Sequence, residues 1–137
     1  MKTDLAKTLS VTGVHGLYTY LAQARNGIVA ESMSDKKRVS FDAKSRITTL
    51  ADIAIYTSEG EMKLSEVFLA VNKVIGERNF TSKSQDKELV SLFKEAVPNY
   101  DSERFYVSHM RKVIDWYNEL VKYASLDFVK EDDGNEE

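Results

Sequence analysis

The chain has 137 residues, 42% of them apolar and 30% charged, with no cysteine and a formal net charge of −3. It is apolar enough to bury a core, and the missing thiols exclude a disulfide framework, cysteine-ligated zinc or iron–sulfur centres, and thiol catalysis. The opening Met1-Lys2-Thr3-Asp4-Leu5-Ala6-Lys7 lacks the apolar run of a secretory leader, and nothing approaches the ~20 apolar residues of a membrane helix, so a cytoplasmic protein is expected.

A short strand is predicted around Leu9-Ser10-Val11, followed by a loop in which Gly13 and Gly16 flank His15. Leu17 to Ala24 is rich in aromatic and β-compatible residues, Ile28 to Met33 answers it, and Asn26-Gly27 between them reads as a type I′ hairpin turn. After the polar break Ser34-Asp35-Lys36-Lys37, the run Arg38 to Ala43 alternates with Val39, Phe41 and Ala43 on one face. Thr48 to Asp52 reads as one helical turn and Ile53 to Thr57 as a fifth strand. About five strands in so short a segment must curl to bury an apolar face, which predicts a small SH3-like barrel or bent sheet.

Beyond Ser58-Glu59-Gly60-Glu61, read as a short linker, the period changes from two to helical. Leu64, Val67, Phe68, Val71, Val74 and Ile75 mark a first helix that Gly76 ends. Ser84 is placed to cap a second, with Leu89, Leu92, Phe93, Ala96 and Val97 inward and the lone proline, Pro98, as its stop. Ser108 is placed to cap a third, striped by Met110, Val113, Ile114, Tyr117, Val121 and Ala124. The expected class is therefore α+β. A β unit occupies residues 1–60, a three-helix unit residues 61–128, and an acidic flexible tail residues 129–137.

No common chemistry finds its parts. His15 and His109 are too few and too isolated for a metal site. No serine sits in a nucleophile motif and no glycine-rich phosphate loop follows a strand. Carboxylate pairs such as Asp86/Glu88 and Asp101/Glu103 lie at helix starts, where negative charge favours the helix dipole. A non-enzyme without cofactor or metal is expected.

Two clusters invite a binding role. Around Pro98 to Ser108, Asp101 is spaced to cap a turn and to pair with Arg104, and Trp116 lies off the apolar stripe of the third helix. Tyr100, Arg104, Tyr106 and Trp116 are thus the candidate protein-partner contacts, with Trp116 either packed between the two halves or serving as an anchor. Lys36, Lys37, Arg38, Lys44 and Arg46 are candidate nucleic-acid contacts, on loops at one end of the β unit that also holds Tyr18, Tyr20, Phe41 and Tyr56.

Several stretches resemble a bacterial domain-of-unknown-function family with an N-terminal β unit and a helical C-terminal unit. They are Leu5 to Gly13, Gly16-Leu17-Tyr18, Ala24 to Ser32, Leu50 to Thr57, Tyr100 to Ser108 and Trp116-Tyr117-Asn118. His109 departs from the resemblance, which implies an acidic residue there. The resemblance implies no activity, cofactor or site residue. The leading expectation is a non-catalytic protein-interaction module or adaptor, the alternative a nucleic-acid- or ribosome-associated protein.

Overall fold

The computed structural model describes residues 2–129 and separates the chain into two compact units. Among the described residues the first comprises 2–52 and 119–129, the second 53–118. The division falls after Asp52, earlier than the boundary expected near residue 60. The reason is local: Ser58-Glu59 is the turn of a hairpin that hands directly into the first helix, so it links no domains.

The first unit is built on a five-stranded antiparallel sheet of β1 (Thr8–Val11), β2 (Leu17–Ala24), β3 (Gly27–Ser32), β4 (Arg38–Asp42) and β5 (Ile47–Thr49), ordered β4-β3-β2-β1-β5. The fifth strand is Ile47–Thr49, where a helical turn was expected; the 3-10 turn follows it at Leu50–Asp52. Ile53 to Thr57 does supply a strand, but in the second unit. Among the described residues β4 and β5 are opposite edges that pair with neither each other nor a further strand, so the sheet is open and not closed into a barrel.

It must nonetheless curl. Asp42 ends β4 and Ile47 begins β5, a connection that spans at most about 18 Å. A flat sheet would hold these edges about 19 Å apart. It would add the length from the Ala24–Gly27–Asp42 end to the Val11–Ile47 end. Only a strongly coiled sheet lets so short a loop reach. A register shift between Tyr20 and Ala22 helps bend β2 and turns Leu21 outward.

The β2–β3 hairpin also differs in detail. Ala24 pairs with Gly27, which makes Arg25-Asn26 the two-residue loop. Neither loop residue has positive φ, so the turn is not type I′. Gly27 serves another need, a backbone approach from β4 so close that a Cβ would lie 1.8 Å from the Phe41 carbonyl oxygen.

Leu9, Val11, Leu17, Ala30, Met33 and Leu50 fill the core of this unit, with Leu120 of the C-terminal segment. The chain ends are stitched together within it. The Thr3 amide donates to the Asp127 carbonyl at 2.8 Å and the Val129 amide to the Thr3 carbonyl at 2.9 Å. The Thr3 hydroxyl, itself buried, donates to the Ser125 carbonyl at 2.8 Å. Val129, the first residue of the expected tail, is therefore anchored; the rest of that tail lies outside the described residues. The Glu119 carboxylate accepts from the Leu17 amide at 3.1 Å.

The second unit opens with the hairpin β6 (Ala54–Thr57) and β7 (Gly60–Lys63), closed by Gly60 at φ +109. Three helices follow, α1 (Leu64–Ile75), α2 (Asp86–Ala96) and α3 (Val107–Tyr123), the last passing its C-terminal turn to the first unit. α1 ends at Gly76 and α2 before Pro98, as the sequence predicts. The caps are displaced. α2 is capped at Gln85, whose amide donates to the Glu88 carboxylate, while the Ser84 hydroxyl accepts from the Thr81 amide in the preceding turn. α3 begins at Val107 rather than after Ser108. Its inward face includes Leu120 where Val121 was expected, and Val121 is exposed.

Polar bonds tie the helical layer together. The Tyr117 hydroxyl donates to Asn72 Oδ1 at 2.9 Å, and burial raises its pKa. Arg111 donates to the Ser82 and Ser84 carbonyls and pairs with Asp86, securing the α1–α2 connection to α3. Arg78 donates to the Val74 and Ile75 carbonyls, where α1 leaves acceptors unsatisfied, and forms a two-pronged pair with Glu95. That pair raises the Arg78 pKa and lowers that of Glu95.

A carboxyl with a folded pKa below its unfolded value stabilises the fold above the usual carboxylate range. It gives up that contribution as pH falls through the lower folded value. Arg78→Ala should therefore flatten the acid limb of the stability–pH curve, checked by urea midpoints measured between neutral and acid pH.

Candidate functional site: a groove between β6 and the third helix

The clustered residues of the second unit are positioned by a short extension of β6. The Asp101 amide donates to the Tyr56 carbonyl at 2.8 Å and the Ser58 amide to the Asn99 carbonyl at 2.9 Å, so the turn after Pro98 lies against the strand. Asp101 then organises the next turn. Its Oδ1 accepts from the Glu103 amide, its carbonyl accepts from the Arg104 and Phe105 amides, and its Oδ2 lies 3.7 Å from Arg104 Nε. This holds the Arg104 guanidinium over the Tyr56 ring, 4.9 Å from its centroid, a cation–π geometry.

Phe105 is the buried keystone. Its ring meets Phe93 and Tyr100 edge-on at 5.3 and 5.6 Å, and lies nearly parallel to His109 at 6.2 Å. His109 in turn stacks against Tyr106 at 5.2 Å and accepts from the Tyr106 amide through Nδ1.

That last bond explains the departure noted in the sequence. With α3 starting at Val107, His109 is its third residue, the place where an acidic side chain reaches back to the cap amide. The imidazole does that work here. His109→Ala should cost about 0.5–1 kcal/mol in thermal or urea unfolding, while His109→Glu should hold near wild type.

Between β6 and the first turns of α3 lies a groove of about 300 Å³, lined by Ile53, Ala54, Ile55, Tyr56, Arg104, Phe105, His109, Lys112, Val113 and Trp116. Its floor is apolar and aromatic. Its wall carries the cations Arg104 and Lys112 and the His109 ring, and among the described residues no carboxylate. Of the four expected partner contacts, Arg104 and the half-buried Trp116 share this groove. Tyr100 supports Phe105 from beneath, and Tyr106, 55% exposed, stands outside the lining.

Sequence reading missed Tyr56, His109 and Lys112. The α3 residues could have been found, because 109, 112, 113 and 116 fall on one helical face. Tyr56 was hidden by its assignment to the β unit.

The basic residues of the first unit do not converge. Lys36, Lys37 and Arg38 sit at the start of β4, and Lys44 and Arg46 follow its end. β4 alone holds the groups roughly 13 Å apart. Each group includes an aspartate that builds its turn: Asp35 accepts from the Lys37 amide, which lowers the Asp35 pKa, and Asp42 accepts from the Lys44 and Ser45 amides. Tyr18 and Phe41 pack edge-on against each other at 5.1 Å, both half-buried, and Tyr56 belongs to the other unit.

Among the described residues no group of His, Asp and Glu is arranged to hold a metal ion, and no helix is long and apolar enough to cross a membrane.

Comparison with known proteins matches both units. Residues 5–50 match the domain of unknown function DUF5606, and residues 53–120 match the domain of unknown function DUF6852. The junction between the two matches coincides with the structural division after Asp52. A solution NMR structure from Bacteroides vulgatus, a Northeast Structural Genomics Consortium target, is 38% identical, with a TM-score of 0.74 over 87% of each chain. No curated protein matches the sequence.

Proposed function

We propose that this chain, which belongs to the bacterial family joining a DUF5606 to a DUF6852 domain, works in the cytoplasm as a non-catalytic protein-interaction module, with the β6–α3 groove as its contact surface. One observation carries the reading. Arg104 and Trp116, separated along the chain, meet with Tyr56 around a single apolar groove. Arginine and aromatic side chains in such concave, partly desolvated settings dominate protein interfaces.

The groove wall offers binding chemistry. It holds two cations and one imidazole, whose Nδ1 is taken up at the start of the third helix. Nucleic-acid or ribosome association through Lys36, Lys37, Arg38, Lys44 and Arg46 has less support, because those cations lie at opposite ends of β4.

The test is comparative capture from the native host. Wild type should retain a set of proteins that an Arg104→Glu variant of unchanged unfolding midpoint loses. Identical sets from both would contradict the reading.

A further inference from the structure

The groove runs along an unused strand edge. In an antiparallel ladder the backbone groups of successive residues face opposite sides. The Tyr56 carbonyl and the Ser58 amide both bond the 99–101 segment, away from β7. The same alternation turns the Tyr56 amide and both backbone groups of Ala54 toward that side. Those three groups have no hydrogen-bond partner among the described residues. The 99–101 segment thus occupies only the C-terminal part of the β6 edge, and the groove lies beside the remainder.

We propose that the occupant of this groove is a short, extended, acidic peptide segment of a partner protein, which adds as a strand to the free edge of β6 at Ala54–Tyr56. This deepens the proposed function and rests on it. Strand addition supplies main-chain hydrogen bonds, and alternate side chains of the added segment then face the groove. An apolar side chain fits against Val113 and Trp116, and flanking carboxylates face Arg104 and Lys112. The sign follows from the lining, which among the described residues holds cations and no carboxylate; Asp101, 3.7 Å from Arg104, offsets only part of that charge.

The chain's single tryptophan reports directly on the groove. Full-length protein would be titrated, following Trp116 emission, with the peptide Glu-Asp-Glu-Ile-Phe-Val-Glu-Asp-Glu. Comparison peptides replace its acids by Gln and Asn, or by Lys. Two further forms carry backbone N-methyl groups on one or the other alternate set of residues.

The acidic peptide should bind at least about ten-fold more tightly than its amide counterpart, with affinity falling as salt rises. One N-methylated set should lose about ten-fold while the other binds nearly as well, since only one set faces β6. Arg104→Glu combined with Lys112→Glu should transfer the preference to the Lys peptide. Equal affinity for all charges, equal tolerance of both N-methylated sets, or no Trp116 response to any peptide would overturn the inference. If Arg104→Glu still loses partners in capture while the peptides fail, the occupant is wrong and the interaction surface stands.

Discussion

Gly27→Ala should lower the stability of the first unit by about 2–3 kcal/mol, the upper range for forced overpacking. A Cβ there would sit 1.8 Å from the Phe41 carbonyl oxygen and 2.7 Å from Asp42 Cα. Those are backbone atoms of the neighbouring strand, so no side chain can swing aside. Relief requires β4 to move off β3, which disturbs the Gly27–Asp42 and Ile28–Phe41 pairs and the short connection that curls the sheet.

Gly27→Asn separates this cause from a turn requirement. Asparagine tolerates left-handed backbone and would be a mild change in a type I′ turn. Close approach makes it as damaging as alanine. Urea midpoints of the two variants decide between the causes.

Phe105→Ala should cost about 3–4 kcal/mol, in line with emptying a buried aromatic site. The ring is 4% exposed and meets Phe93, Tyr100 and His109 at once. Its removal leaves a cavity and also forfeits the edge-on aromatic contacts. Because Phe105 floors the groove, the same change should abolish partner binding. Phe105→Leu should recover much of the stability and only part of the binding. Arg104→Glu should do the reverse: its side chain is 63% exposed and its ion pair is long, so unfolding changes little while binding is lost. Denaturation and capture measured on all three variants distinguish the residue that builds the groove from the one that uses it.

The fold was legible wherever a residue answers to a period. β2 and α1 occupy the expected spans because alternation and helical spacing register burial directly. What failed was pairing. Ile47–Thr49 and Ala54–Thr57 are both short and β-compatible, and nothing within either says which sheet it joins. The choice is made by partners distant in sequence, β1 for one and β7 for the other. The assignment of residue 58 to a linker followed from that error.

Cap positions slipped for a related reason. Several serines can cap, and the geometry selected Gln85 and the His109 ring instead. The candidate site was half visible. Arg104 and Trp116 stood out by residue type, whereas Tyr56 joins them only because the Asn99–Asp101 turn pairs with β6.

Partner binding in the β6–α3 groove is tested by the emission and acrylamide quenching of Trp116 as a captured partner is titrated into wild-type protein, using a partner without tryptophan or one observed through a labelled Trp116. A partner seated in the groove should blue-shift the emission and protect Trp116 from quencher, both effects saturating with binding. A partner that binds with Trp116 emission and quenching unchanged would show that it docks elsewhere than in the groove.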